Sequence, residues 1–207
     1  MIILHLCLQH RIHALKFTKY LCDTFKDQSV DINVRNKDGN TAIMLAAQHT
    51  RAEVTKYLCD TFKDDIKNVD INKQNKDGDT AFILAAQNTS TEAIKYLYDT
   101  FKDTINVNVQ NKDGNTAIML AAAHNTSSNV INYFYDISKN QNIDINKQNK
   151  DGNTAFMLAA AHNTDADVVK YLYYNFDDQN IDINEQNKDG NNAIMLAASQ
   201  NTNPLVV

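Results

Sequence analysis

Glycine is scarce in this 207-residue chain: there are five, and each stands alone. An isolated glycine cannot build the glycine-rich loop that cradles a phosphate, so that nucleotide signature is excluded. No His-Glu-x-x-His or Cys-x-x-Cys sequence occurs, which removes the common zinc-protease and dithiol patterns. No apolar run reaches the roughly 18 residues a membrane-spanning helix needs, so no membrane span is expected. Positive charge is in deficit. Lys and Arg total 20 against 25 Asp and Glu, giving a net charge of −5 and a pI near 5.6. A nucleic-acid partner calls for a basic face, so that class is not expected. Cysteine occurs three times, at Cys7, Cys22 and Cys59. Cys22 and Cys59 hold the same place in successive repeats. Helices packed side by side lie about 8–10 Å apart, beyond the ~7 Å Cα limit of a disulfide. Free thiols and a reducing, cytoplasmic compartment are expected.

What the chain has in excess is repetition. Asn36-Lys37-Asp38-Gly39-Asn40-Thr41-Ala42-Ile43-Met44-Leu45-Ala46-Ala47 returns from Asn75, Asn111, Asn149 and Asn187, and all five glycines sit in it. The glycines are spaced by 39, 36, 38 and 38 residues, and a period of this size marks a repeat array. Asp-Gly signals a tight turn. The Thr that follows (Thr41, Thr80, Thr116, Thr154) is expected to cap a helix, with Asn192 in that role in the last copy. The next run, Ala-Ile-Met-Leu-Ala-Ala or a close variant, is apolar on almost every side, which predicts an inner helix buried on most of its surface. Val54, Tyr57, Leu58 and Phe62 then share one face of a second, amphipathic helix. Ala93, Tyr96, Leu97 and Phe101 repeat that face, as do Val168, Tyr171, Leu172 and Phe176. Each unit closes on Asp-Ile-Asn or Asn106-Val107-Asn108, read as a short extended piece. The abundance of asparagine, with Lys and Ile, points to AT-rich coding DNA and to little chemistry.

A single array over 1–207 is expected, since stacked units share one continuous core. Residues 1–35 read as a degenerate first repeat, because Tyr20 to Asp27 matches Tyr57 to Asp64. Residues 2–8 take its first-helix position but lack the turn motif. They do not read as a signal peptide: the apolar stretch is short, no basic region precedes it, and His5, Gln9, His10 and Arg11 interrupt or follow it. Full repeats span 36–74, 75–110, 111–148 and 149–186, and a truncated one spans 187–207. Pro204, the only proline, falls in the first turn of a second helix, where proline is tolerated. Neither end of the array is polar, so a fragment of a longer array or protein is expected.

The unit resembles the ankyrin repeat. The resemblance rests on Gly39, Thr41, Ile43, Ala46, Ala47, Glu53, Val54, Leu58, Asp70, Ile71 and Asn72 and on their counterparts, and it covers nearly the whole chain. It implies an all-α, right-handed helix-turn-helix solenoid. Departures are systematic. The family's Thr-Pro-Leu-His tetrad is Thr-Ala-Ile-Met, Thr-Ala-Phe-Ile or Thr-Ala-Phe-Met here, and polar residues such as Thr50-Arg51 replace its Gly-His turn. Units are longer than usual, chiefly after the second helix around residues 63–69, which suggests a second helix about one turn longer.

By resemblance, the turn tips and inner helices line a concave groove that holds a protein partner, and the chain is expected to be a monomeric, non-catalytic binding scaffold. The positions implied are Lys37, Asp38, Asn40, Gln48 and His49 in the first full repeat, then Lys76, Asp77, Asp79, Gln87 and Asn88. Lys112, Asn115, Ala123 and His124 follow, then Lys150, Asn153, Ala161 and His162. Such a groove is polar, amide-rich and near-neutral. An alternative is a targeting or substrate-recruiting module of a larger enzyme whose catalytic part lies outside this chain. No cofactor is expected. His124 and His162 recur in adjacent units without a third ligand, so no metal is expected either. The recurring Asp38, Asp77, Asp113, Asp151 and Asp189 are turn residues and not catalytic acids.

Overall fold

The computed structural model describes residues 15–24, 31–49, 52–61, 69–87, 91–124, 127–176 and 180–201. Residues 1–14, Thr50, Arg51, Phe62, residues 63–68 (where the longer second helix of the first full repeat was expected), Asn88 and residues 204–207, singled out above, lie outside these. Residues 15–24 form helix α1. The helices after it are α2 (Ala42–Gln48), α3 (Ala52–Thr61), α4 (Ala81–Ala86), α5 (Thr91–Phe101) and α6 (Ala117–His124). Then come α7 (Ser128–Ser138), α8 (Ala155–His162), α9 (Ala166–Asn175) and α10 (Ala193–Gln200). No strand occurs among the described residues.

The helices sort into two rows. Inner helices stack α2 on α4, α4 on α6, α6 on α8 and α8 on α10. Outer helices stack α3 on α5, α5 on α7 and α7 on α9, and each inner helix from α2 to α8 also packs on the outer helix that follows it. The residue types explain the sorting. Every residue of α4 is buried, as are all of α6 except His124, because an all-apolar helix has no face to give to water. Outer helices bury one stripe, such as Ala93, Ile94, Leu97, Tyr98 and Phe101 in α5. One continuous core runs from Ile32 to Phe176, and a smaller cluster joins Met157, Ala160 and Ala161 to Ala193, Leu196 and Ala197. Phe82 and Phe134 meet edge to face at 5.7 Å across successive units, a preferred aromatic geometry.

Helix starts follow the sequence with one exception. Met44, Ile83 and Met157 donate their N–H to the hydroxyls of Thr41, Thr80 and Thr154, and Met195 donates to Asn192 Oδ1. Thr116 differs. Its Oγ1 is buried without a partner, so it does not cap α6, and its N–H instead donates to Met119 Sδ at 3.3 Å. The repeat closures also differ from expectation. Asp-Ile-Asn is a turn, not an extended piece: Asn33, Asn72 and Asn184 donate their N–H to the Oδ1 of the Asp two residues earlier. Aspartate makes this side-chain turn readily. The extra length after α5 is a tight turn and not another turn of helix, with the N–H groups of Thr104 and Ile105 both donating to the Phe101 carbonyl. After α7 the N–H groups of Asn140 and Gln141 both donate to the Ile137 carbonyl in the same way.

Candidate functional site

Each turn tip is built by its first asparagine. In the unit from Asn75, the Asn75 Oδ1 accepts from the N–H groups of Asp77 and Asp79 at 2.9 and 2.8 Å. Asn75 N–H donates to the Asp79 carbonyl at 2.9 Å, and Gly78 N–H to the Asn75 carbonyl at 3.1 Å. The same bonds recur from Asn36, Asn111, Asn149 and Asn187.

The tips are then bonded to one another. Lys76, Lys112, Lys150 and Lys188 each donate their backbone N–H to the Asp carbonyl of the preceding tip, at 2.8 to 3.0 Å. A side-chain ladder runs beside this one. Asn75 Nδ2 donates to Asn40 Oδ1, Asn111 to Asp79, Asn149 to Asn115 and Asn187 to Asn153, at 2.8 to 2.9 Å. Gln74 Nε2 donates both to its own Gly78 carbonyl and to the Gln110 carbonyl, and Gln110 does the same one unit on. Arg35 takes this role at the start, donating to the Gly39 and Gln74 carbonyls. Asparagine is therefore structural in this chain, not merely a trace of coding bias.

These bonds divide the expected contact residues. Asn40 and Asp79 are buried and Asn115 and Asn153 half-buried, each serving as a ladder acceptor. Ala123 and Ala161 are buried in the core and have no surface to offer a partner. Lys37, Asp38, Lys76, Asp77, Lys112 and Lys150 stand exposed on the tips, and Gln48, His49, Gln87, His124 and His162 are exposed at inner-helix ends. Burial, and then the charge of neighbouring His162, push His124 below the ordinary imidazole value. Its ring is neutral at pH 7 and can both donate and accept. No cluster of three or more metal-ligating side chains occurs among the described residues.

Another link escaped the sequence reading. Asn163 Nδ2 donates to the Ala122 carbonyl at 2.6 Å, and Asn201 Nδ2 to the carbonyls of Ala160 and Asn163. These tie the end of one inner helix to the next. Their recurrence one repeat apart was the available signal. On the outer row, polar groups are also spent between units: Tyr133 hydroxyl donates to Asp99 at 3.1 Å, and Lys56 Nζ lies 5.2 Å from the Tyr96 ring centre. Cys22 and Cys59 are free thiols, and burial pushes Cys59 up to about 11, so it is not a reactive thiolate. No described helix is long and apolar enough to cross a membrane.

Two rows of helices joined by laddered turn tips define a helical repeat solenoid. Family models described as ankyrin repeats (3 copies) match residues 60–148 and 122–206, and one described as ankyrin repeats (many copies) matches 26–85. The chain belongs to the ankyrin repeat family. Among solved structures it is similar to the crystal structure of EF0377, an ankyrin repeat protein, with a TM-score of 0.70 and 24% identity, covering 91% of this chain and 89% of that one. That likeness supports the fold alone. No curated protein matches the chain.

Proposed function

We propose that this chain is a non-catalytic scaffold that holds a protein partner against the face made by its turn tips and inner-helix ends. One observation carries the reading. The tips are locked to each other through backbone and amide bonds, while their Lys-Asp pairs stay exposed in register. A surface held rigid in this way loses little entropy when a partner orders against it. Its chemistry is polar and of mixed sign: Lys112 and Lys150 beside Asp113 and Asp151 on the tips, and the exposed His124 and His162 at the inner-helix ends. That suits a polar, hydrogen-bonding segment of a partner better than an apolar one. Recruitment on behalf of a catalytic domain uses the same face, so both readings share one surface.

Selection of binding peptides from a displayed library, followed by isothermal titration, tests the assignment. Replacing Lys112, His124, Lys150 and His162 together by alanine is expected to weaken binding at least about tenfold, which is 1.4 kcal/mol. Replacing Lys95 and Lys170 on the outer row is expected to leave it unchanged. Binding lost only with the outer-row changes would move the site to the other face.

A further inference from the structure

The turn tips carry a ridge of charge whose signs alternate. Every tip places a lysine and then an aspartate in sequence, from Lys37-Asp38 to Lys188-Asp189, and all of these side chains are exposed. The backbone fixes their order in space. Lys76 N–H donates to the Asp38 carbonyl, Lys112 to Asp77, Lys150 to Asp113 and Lys188 to Asp151, at 2.8 to 3.0 Å. Each aspartate is therefore followed, one hydrogen bond away, by the lysine of the next tip. Along the stack the ridge runs plus, minus, plus, minus without a break from Lys37 to Asp189. Ion pairs among the described residues join Lys139 to Asp136 and Lys170 to Asp167, and neither uses a group of the ridge.

Two properties of the ridge select the shape of what lies along it. The first is its period. Packed helices stand about 8–10 Å apart, so like charges recur at about that interval, one per unit. An α-helix rises about 1.5 Å per residue, which puts residues seven apart on one face at ~10.5 Å. A residue three or four positions on shares that face and lies midway. A strand fits badly. Its side chains recur on one face at about 6.8 Å, so like charges in an alternating row stand about 13.6 Å apart. The second property is the state of the backbone. A strand added to an edge draws its affinity from main-chain bonds. On the ridge these groups are already committed. The aspartate N–H groups donate to the asparagine Oδ1 two residues earlier, and the bonds between tips use lysine N–H groups and aspartate carbonyls. A helix satisfies its own backbone and asks only for side chains.

We propose that the partner lays an α-helix along the tips, with acidic and basic residues alternating at three- and four-residue intervals on one face. Its acidic residues lie over the lysines and its basic residues over the aspartates, so each rung of the ridge meets the opposite sign. A helix of about 22 residues spans three periods and meets four tips. A helix whose charges are grouped by sign meets like charge at every second rung, which is unfavourable. This rests on the binding role proposed above for the tips and gives the shape and charge pattern of the partner there.

Isothermal titration with peptides of about 22 residues and equal Glu and Lys content tests the proposal. One is a stapled helix with Glu and Lys alternating at three- and four-residue intervals. Another is a stapled helix with all its Glu in the first half and all its Lys in the second. A third is linear, with Glu and Lys alternating at every second residue. The alternating helix is expected to bind about tenfold tighter than either of the others, a margin that several exposed ion pairs supply together. Its affinity is expected to fall as salt screens the ridge. Exchanging the signs within one tip, Lys112→Asp with Asp113→Lys, keeps the net charge but breaks the alternation, and is expected to remove most of that margin. The peptide comparison uses the unsubstituted chain, so it decides even where that variant loses helicity by circular dichroism. No binding of the alternating helix at low salt overturns the proposal, as does equal or tighter binding of either other peptide. Library-selected peptides that need Lys112, His124, Lys150 and His162 but lack the alternating helical pattern overturn the helix and leave the tip site standing. Selected peptides indifferent to those four residues refute the site, and the helix with it.

Discussion

Asp79 is the residue at which this chain departs from its own rule. Asn40, Asn115 and Asn153 accept the next unit's asparagine through an amide oxygen, whereas Asp79 does so through a carboxylate, at 2.9 Å from Asn111. Burial raises its pKa above the usual carboxylate value. The Asn111 hydrogen bond opposes the rise, and Asp77 and Asp113 add to it. The folded state therefore holds this proton more tightly than the unfolded chain does. Its contribution to stability is full below the unfolded carboxylate value and is lost as pH rises through the folded one. At neutral pH the charged form is a local cost. Asp79→Asn restores the amide that the other units use, and it is expected to stabilise the protein at pH 7 by about 0.5–2 kcal/mol. The gain should shrink as the pH falls through the carboxylate range. Urea unfolding at pH 7 and at pH 4 checks both parts, and a substitution that destabilises at pH 7 would refute the account.

At the scale of one turn, the glycine has two separable jobs. Gly78 and Gly190 share a positive φ, 80° and 79°, which costs an L-residue roughly 1–2 kcal/mol. Their surroundings differ. A Cβ on Gly78 would stand 2.6 Å from the Lys112 nitrogen, and on Gly190 it would meet nothing within 4 Å. Gly78→Ala therefore also disturbs the Lys112–Asp77 ladder bond, worth about 0.5–1.5 kcal/mol more. Denaturant titration is expected to show Gly78→Ala as clearly the more damaging of the two, and equal losses would mean the ladder contributes nothing. The turn itself was legible from Asp-Gly, and the two helix types from the all-apolar run after Thr41 and the stripe of Val54 and Leu58. The ladders were not legible, although Asn75 and Gln74 recur in phase with the glycine. Recurrence alone does not tell a residue that bonds within its turn from one that bonds the next turn, since that depends on how closely units approach. The same gap puts Asn40 and Asp79 among the contact residues on sequence grounds, and it puts Ala123 on the surface when it faces the core. Thr116 shows the limit from the other side: the cap residue type was present, and the hydroxyl is buried without a partner.

Across the whole molecule, stability in a repeat array is close to a sum of unit and interface terms, so a deficit stays where it arises. Helix α6 lies between α4 and α8 and has α7 beside it, while the main partner of α10 is α8. Ile194 and Met195 accordingly leave exposed what Ile118 and Met119 bury. At about 1.5–3 kcal/mol for a large apolar side chain, the trailing unit forgoes several kcal/mol relative to an interior one. It keeps its cap at Asn192 and the Asn201 bonds to the Ala160 and Asn163 carbonyls, which hold the ends of α10 but supply none of that burial. Opening of α10 should therefore need less free energy than global unfolding, the condition for exchange by local opening. In dilute protein, amides of residues 194–198 are expected to exchange much faster than those of residues 118–122, with helices α4 to α9 protected. Native-state hydrogen exchange with increasing denaturant separates the two regimes: the α10 amides should show little denaturant dependence, and those of α6 should merge with the global unfolding line. Equal protection of both helices in dilute solution would mean that α10 already has a cover, and the burial argument for the trailing unit would fail with it.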